Sequence, residues 1–269
     1  MSDALTRFRS VLPADTEWEP VEGGESGAAV FRAADGSRYA KCVAEELVTE
    51  LREECDRVEW FSGQGIPGPH PVLWRRTGEA ACLVTTAVYG VPAARVSAEE
   101  LSAAWPSITE TVRTLHEIPT DTCPFERDVT KMFAKAEDVV ARDAVNPEFL
   151  PEEQLTIPTR VLLARLRAQL DVRIAQEAAE YVVCHGDLCL PNIVLDPNTL
   201  SVTGFLDIGR LGVADPYVDI ALLLANSREV WPDERSALDA DRRFAERYGI
   251  DLDADRQRFY LHLDPLTWG

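Results

Sequence analysis

Short apolar segments separated by turn residues fill the first third of the chain. The pattern of apolar and polar positions predicts strands at residues 18–21, 28–31, 38–43, 72–76 and 82–88. Glycine-containing turns at residues 23–27 and 34–37 join the first three strands as antiparallel hairpins. A helix is predicted between the third and fourth strands, where apolar residues recur at spacings of three and four: Leu47, Leu51, Cys55 and Val58.

After Gly90 the apolar residues recur mainly at helical spacing. Ser97 and Glu100 have the spacing of a capping box, which predicts a helix start, and Pro106 is expected to break or kink that helix. Further helices are predicted at residues 125–140, 162–170, 217–225, 233–248 and 254–263. Three strands are predicted among them, at residues 181–184, 193–195 and 202–206.

This order of elements, strands first and helices afterwards, predicts an α+β fold in two lobes. A small antiparallel sheet with one helix is expected to form the amino-terminal lobe, residues 1–88. A larger, mainly helical lobe is expected over residues 89–269, with the boundary near residues 88–92.

The composition is that of a globular protein. Of 269 residues, 46% are hydrophobic and 27% are charged, which argues against a disordered or fibrous chain. The longest uncharged run, residues 80–94, is shorter than the roughly 20 apolar residues that cross a bilayer, and the amino terminus lacks the apolar core of a signal peptide. We therefore expect no membrane association and a cytoplasmic location.

Cysteine spacing and charge exclude several classes of function. The six cysteines contain no Cys-x-x-Cys pair, so neither a zinc site nor a disulfide framework is predicted. The net charge of −19 argues against a nucleic acid partner and is compatible with a cationic small molecule. An acidic, solvated surface explains the same charge without any partner.

Residues 185–192 carry the clearest chemical pattern in the sequence. His185 precedes Asp187 by two residues and Asn192 follows it by five, which is the spacing of a kinase catalytic loop. About 0.005 such matches are expected by chance for this composition. Asp207 follows an apolar strand and begins an Asp-x-Gly sequence, where a kinase places a second metal-binding carboxylate.

These residue types fit phosphoryl transfer. Its transition state is loose and anionic, so catalysis depends on positioning and on charge neutralisation. We predict that Asp187 orients the attacking hydroxyl and accepts its proton, while Asn192 and Asp207 hold Mg²⁺ against the phosphates of ATP. His185 is expected to anchor the loop by hydrogen bonds. The simpler alternatives are a helix-cap or turn role for each polar residue.

Lys41 is the predicted partner of the nucleotide phosphates. Strand alternation directs its side chain toward the cleft, and no other lysine precedes Lys131. Glu54 on the following helix is its expected acidic partner, with Glu50, one turn earlier, as the alternative. The glycine-containing turn at residues 23–27 can lie over phosphates, although it lacks the G-x-G-x-x-G pattern, and no Walker A sequence occurs.

These residues resemble the aminoglycoside phosphotransferases, which are antibiotic kinases with a protein-kinase-like fold. The resemblance covers almost the whole chain and rests on the 185–192 motif together with Asp207-Ile208-Gly209-Arg210 and Asp219. Cys123-Pro124-Phe125-Glu126-Arg127 and residues 24–27, 146–151 and 263–269 look more narrowly like the streptomycin 3''-phosphotransferases.

The resemblance implies further site residues. Ser26 is expected at the nucleotide phosphates, and the backbones of Thr86 and Val88 at the adenine. Asp264 is expected to bind a guanidinium group of the substrate, with Glu148 as a further contributor from the insert. Arg210 and Asp215 are expected to order the loop after Asp207, with a surface salt bridge as the alternative, and Arg210 is expected on the substrate side.

The expected function is therefore ATP- and Mg²⁺-dependent phosphorylation of an aminoglycoside, at the 3'' hydroxyl of streptomycin, by a monomeric enzyme that confers antibiotic resistance. One alternative is a kinase of the same fold that acts on a kanamycin-type aminoglycoside, homoserine or choline. A catalytically silent nucleotide-binding module is the other.

Overall fold

A computed structural model describes residues 3–21 and 27–269 of the chain. Its largest sheet has five antiparallel strands in the order β1-β2-β3-β5-β4. The strands are Trp18–Val21 (β1), Ala29–Ala33 (β2), Arg38–Ala44 (β3), Pro71–Arg76 (β4) and Ala80–Thr86 (β5). Two helices accompany this sheet, Asp3–Arg7 (α1) and Val48–Phe61 (α2). The predicted antiparallel sheet with a helix between its third and fourth strands is confirmed.

Seven helices follow the sheet: Ala98–His116 (α3), Val129–Ala141 (α4), Thr159–Arg167 (α5), Leu170–Glu177 (α6), Tyr217–Ser227 (α7), Glu234–Tyr248 (α8) and Ala254–Leu263 (α9). Two small antiparallel sheets lie among them. Val91–Pro92 (β6) pairs with Ile193–Leu195 (β8), which pairs with Val202–Phe205 (β9). Val182–Cys184 (β7) pairs with Gly212–Ala214 (β10). The α+β class is thereby confirmed.

Helix α3 begins as predicted but does not end at its proline. The Ser97 hydroxyl accepts from the Glu100 N–H at 3.2 Å, and the Glu100 carboxylate accepts from the Ser97 N–H at 2.8 Å. Of the break or kink expected at Pro106, the break is wrong, because the helix continues through the proline to His116. Burial of Trp105 and the other apolar side chains on this face outweighs the roughly 3 kcal/mol that an internal proline costs.

Several other boundaries differ from prediction. Phe125 precedes α4, because the Asp128 carboxylate caps that helix by accepting from the Lys131 N–H. The helix expected over residues 162–170 is divided into α5 and α6. Strand β5 ends at Thr86, and sequence reasoning missed the short elements α1, β6 and β10. Elements of two to five residues carry too little periodicity to be recognised.

Two clusters of buried apolar side chains lie on opposite sides of the five-stranded sheet. One is formed by Phe8, Val11 and Trp18 against Phe31 and the neighbouring strands. The other runs without interruption from α2 through β7, β8 and β9 to the helices α3, α7 and α9. The cleft-forming loops therefore rest on one continuous core.

Glu177, at the end of α6, connects three parts of the helical region. Its carboxylate is 1% exposed and accepts from the Val129 N–H at 3.0 Å and from the Asp215 N–H at 3.1 Å. Burial is the main cause that raises the pKa of Glu177 from 4.5 to about 7, with the charge of Asp215 acting in the same direction.

This raised pKa makes stability depend on pH. Between pH 4.5 and about pH 7 the unfolded chain has lost the Glu177 proton while the folded chain retains it, so the contribution of Glu177 to stability falls as pH rises. We expect the free energy of unfolding of the wild-type protein to fall by on the order of 2 kcal/mol across that window because of Glu177. We expect Glu177→Gln to lose this part of the pH dependence. Urea unfolding of both proteins at pH 5 and pH 7.5 measures it. A constant difference between the two proteins would contradict the assignment.

Candidate active site

The predicted catalytic loop, residues 185–192, connects β7 to β8. His185 lies fully buried beneath it. The Asp187 N–H donates to His185 Nδ1 at 3.2 Å, so His185 Nε2 carries the proton and donates to the Leu206 carbonyl at 2.8 Å. This neutral tautomer ties the loop to the end of β9. His185 is thus an anchor for the loop, as the sequence predicts.

Asp219, near the start of α7, fixes the catalytic loop by hydrogen bonds to the loop backbone. Its two carboxylate oxygens accept from the His185 N–H at 2.6 Å and the Gly186 N–H at 2.8 Å. His116 Nε2 lies 3.0 Å from the same carboxylate, and His116 Nδ1 lies 2.7 Å from the Tyr248 hydroxyl. Burial opposes ionisation of Asp219, but the bonds from His116 and Gly186 outweigh it and lower its pKa.

Asn192 and Asp187 face each other across the loop. Asn192 Nδ2 donates to the Asp187 carbonyl at 2.9 Å and to Asp187 Oδ2 at 3.1 Å. Because the amide nitrogen is used in this way, Asn192 Oδ1 points elsewhere, and no donor among the described residues bonds to it.

Asp187 is largely enclosed by the residues around it. Burial raises its pKa above the ordinary aspartate value, and the negative charges of Asp264 and Asp207 act in the same direction. The Arg210 guanidinium opposes them. A carboxylate with a raised pKa is a better proton acceptor than a solvated one.

Asp207 follows β9 and stands at the cleft. Its backbone is left-handed, with φ of 53°. Its side chain is 51% exposed, and Oδ1 lies 3.5 Å from Lys41 Nζ. The strand end and the left-handed turn together direct this carboxylate away from the core.

Lys41, in the middle of β3, pairs with Glu54 on α2 at 2.7 Å. Glu50, the alternative partner, is exposed. Burial opposes the charge on Lys41, but the carboxylates of Glu54 and Asp207 outweigh it and raise the pKa of the ammonium group. Gly209 makes room for the pair, since a Cβ there would lie 3.3 Å from Glu54 Cγ.

The donor set at the cleft fits Mg²⁺. The unpaired amide oxygen of Asn192 and the half-exposed carboxylate of Asp207 are hard oxygen ligands, and one or two such groups suffice when phosphate oxygens and water complete the octahedron. Among residues 3–21 and 27–269, none donates a hydrogen bond to the Asn192 amide oxygen, and the Asp207 carboxylate has only the 3.5 Å contact with Lys41. These two residues are the ones that would hold the ion.

Thr86 and Val88 lie where β5 leaves the sheet, both half-buried. The Thr86 N–H donates to the His70 carbonyl at 2.9 Å, and the Thr86 hydroxyl accepts from the His70 N–H at 2.9 Å. No carbonyl among the described residues accepts from the Val88 N–H. A backbone donor is therefore available at this junction for the edge of a planar base.

Of the remaining expected site residues, the structure brings Arg210 and Asp264 together and leaves Glu148 apart. Arg210 and Asp264 lie close together, 3.3 Å between Nη1 and Oδ1, and Trp268 Nε1 donates to Asp264 Oδ2 at 3.0 Å. Arg210 stacks on the Trp268 ring at 4.0 Å. Glu148 is exposed, and its carboxylate makes no hydrogen bond or ion pair with any residue that the structure describes. Ser26 lies outside the described residues.

Neighbouring side chains of the protein already engage Asp264. It is 8% exposed, and both of its oxygens already face protein donors. Asp215, which was expected to order the loop after Asp207 together with Arg210, instead pairs with Arg256 at 2.7 Å. Of these two carboxylates, Asp264 is therefore the one that lies beside Arg210.

Sequence reasoning missed the residues that support the loop from a distance. His116 on α3 reaches Asp219, and Tyr248 on α8 contacts the other ring nitrogen of His116. Asn226 Oδ1 accepts from the Leu190 N–H at 2.7 Å. Their separation along the chain leaves no local spacing to recognise. Asp219 itself had a signal, because it belongs to the Asp-x-Gly-containing segment that carries the resemblance.

Comparison with known proteins places this geometry among phosphotransferases. The profile of the phosphotransferase enzyme family matches residues 17–261. The streptomycin 3''-kinase of Streptomyces griseus is 59% identical over 253 residues, which cover 94% of this chain and 93% of that one. An aminoglycoside 3'-phosphotransferase of Streptomyces fradiae is 40% identical over 92% of this chain and 94% of its own.

Solved structures agree in fold. The aminoglycoside phosphotransferase APH(3'')-Id of Streptomyces rimosus superposes with a TM-score of 0.95 at 59% identity, with both chains covered completely. Its complex with ADP and streptomycin gives a TM-score of 0.94 at 58% identity, again over the whole of both chains.

Proposed function

The chain belongs to the phosphotransferase enzyme family, with the protein-kinase-like fold of its relatives, and from this premise we propose that it transfers the γ-phosphoryl group of ATP to the 3'' hydroxyl of streptomycin. The observation that carries the proposal is the grouping of two contacts, Asn192 with Asp187 and Asp207 with Lys41. The Leu206 N–H, next to Asp207, donates to the Asn192 carbonyl at 2.8 Å and brings the two together. Phosphorylation inactivates the drug, and this inactivation confers resistance.

In the proposed mechanism Asp187 receives the 3'' hydroxyl as a hydrogen-bond donor and takes its proton as the oxygen attacks the γ-phosphorus. The bond from that phosphorus to the β–γ bridging oxygen breaks, and ADP leaves. Mg²⁺, when bound, neutralises the phosphate charge. Asp219 and His185 keep Asp187 in place through the bonds that fix the loop.

Lys41, held by Glu54, is proposed to contact the α- and β-phosphates, with Ser26 approaching the same phosphates from the glycine-containing turn. The Val88 N–H and the Thr86 carbonyl are proposed to bind the adenine edge. We place the division between the nucleotide-binding lobe and the substrate-binding lobe after residue 88. That position is supported by the pairing of β6 with β8 of the helical region.

Substrate recognition is proposed to involve Asp264, Arg210 and Glu148. Streptomycin carries two guanidinium groups, which carboxylates can bind bidentately. The acidic net charge of −19 raises the local concentration of such a cation. We propose a monomeric cytoplasmic enzyme. No helix among the described residues is both long and apolar enough to cross a membrane.

Mass spectrometry of streptomycin after incubation with the protein, ATP and Mg²⁺ tests the function. We expect a gain of one phosphoryl group, with fragmentation placing it at the 3'' oxygen. A kanamycin-type aminoglycoside, homoserine and choline are run in parallel under identical conditions. An unchanged drug with phosphorylation of another acceptor would contradict the substrate, and ATP binding without turnover of any acceptor would support the silent module.

A further inference from the structure

Polar atoms without hydrogen-bond partners gather beside the catalytic loop. Among the described residues, buried atoms of this kind include Nε and Nη2 of Arg127, Nη1 of Arg210 and Oδ1 of Asp264. Arg127 Nη2 and Arg210 Nη1 approach the same Asp264 oxygen at 3.5 and 3.3 Å. The mechanism above assigns Arg127 no part, although its side chain is only 13% exposed.

Two glycines make the space that Arg127 fills. A Cβ at Gly186, directly before Asp187, would lie 2.9 Å from Arg127 Cδ. A Cβ at Gly212, in the segment that follows Asp207, would lie 3.1 Å from Arg127 Cβ. The Arg127 N–H donates to the Val213 carbonyl at 2.9 Å, which holds the backbone in register with β10. The aliphatic part of Arg127 thus packs against both catalytic segments.

The guanidinium end of Arg127 faces the carboxy-terminal segment. Its contact with Asp264 reaches the short helical turn Asp264–Thr267, which also packs on α4 and α9. Burial, followed by the neighbouring charge of Arg210, lowers the pKa of Arg127 to about 9, so the group remains charged at neutral pH. One side chain therefore touches the loop of the proposed base and the segment proposed to bind the acceptor.

We propose that Arg127 is a positioning residue for phosphoryl transfer: it fixes the distance between the catalytic loop at Gly186 and the acceptor-binding segment at Asp264. This rests on the proposed function, since it concerns how the acceptor hydroxyl meets Asp187. Displacement by about 1 Å of a reacting group can cost about 100-fold in rate. Such a residue acts on kcat and not on nucleotide binding.

Arg127→Met and Arg127→Lys test the proposal, with Arg173→Met as the matched control. Arg173 is a buried arginine on α6, 5% exposed, and like Arg127 its Nε has no hydrogen-bond partner among the described residues. Its guanidinium stacks on Phe259, away from the catalytic loop. Arg127→Lys retains a charge and most of the aliphatic chain. Steady-state assays give kcat and both KM values, and the ratio of ADP formed to phosphorylated streptomycin measures coupling.

For Arg127→Met we expect kcat to fall about 10- to 100-fold with KM for ATP within twofold of wild type. The coupling ratio should rise above one, because water attacks the γ-phosphorus when the sugar hydroxyl is misplaced, giving ADP and inorganic phosphate. Arg127→Lys should restore most of the wild-type kcat and bring the coupling ratio back toward one. Arg173→Met should keep wild-type kcat and coupling per folded molecule.

Three results would overturn the proposal: kcat of Arg127→Met within twofold of wild type, equal losses in Arg127→Met and Arg173→Met, or a rise in KM for streptomycin with unchanged kcat and coupling. Circular dichroism of each variant supplies the folded fraction. Failure of the wild-type protein to phosphorylate streptomycin would instead overturn the proposed function, so the two failures are distinguishable.

Discussion

Replacing Asp187 with asparagine is expected to reduce kcat for streptomycin phosphorylation about 1,000-fold. The amide cannot take the proton of the attacking hydroxyl, and general-base catalysis contributes about 100- to 10,000-fold in enzymes. ATP binding should remain within about threefold of wild type, because Lys41 and Glu54 are unchanged. Single-turnover assays and calorimetric titration with ATP measure the two quantities separately.

Asp196→Asn is the control for this substitution. Asp196 lies directly after β8 in an exposed turn, where its carboxylate accepts from the Asn198 and Thr199 N–H groups. Its replacement weakens a turn without touching the cleft, so kcat should stay within twofold. If Asp187→Asn retained a tenth or more of the wild-type kcat, another group would have to accept the proton.

Replacing Asp207 with asparagine is expected to lower kcat by a similar factor and to raise the Mg²⁺ concentration needed for half-maximal rate at least about tenfold. A neutral amide oxygen replaces a charged ligand in a set that has only two protein members. The contact with Lys41 at 3.5 Å also weakens. Rates measured over a titration of Mg²⁺ at saturating ATP separate the loss of affinity from the loss of rate.

The same Asp196→Asn protein serves as the reference in that titration. An unchanged Mg²⁺ dependence in Asp207→Asn would remove Asp207 from the metal site, whatever the effect on kcat. Thermal unfolding should change little, since the Asp207 side chain is half exposed and contributes no buried hydrogen bond.

The parts of the site that sequence reasoning located are those defined by local spacing. Asp187 and Asn192 lie in one short loop, so their separation along the chain largely determines their separation in space. The repeats of a strand and of the helix that follows it directed Lys41 and an acidic partner toward the cleft, with Glu54 preferred and Glu50 as the alternative. The contact at 2.7 Å decides for Glu54.

The support beneath the site depends instead on tertiary packing. His116 and Asp219 are 103 residues apart, and nothing near either one indicates the other. In the sequence Glu177 is an ordinary charged residue near a helix end. Its buried role follows from the packing of α4 and of the end of β10 against it. The continuation of α3 through Pro106 has the same cause, because burial of its apolar face overrides a local preference.

Gly186 also bears on how such an enzyme is controlled. A Cβ there would lie 2.1 Å from the Arg210 carbonyl oxygen, and φ is +85°, so no side chain fits. Protein kinases carry an arginine at this position, and their activation loops are ordered by arginine–phosphate pairs. A catalytic loop built around glycine is ready to work once the chain has folded. The catalytic loop therefore has no arginine at this position through which a phosphorylated segment could order it, so control by that route is not expected.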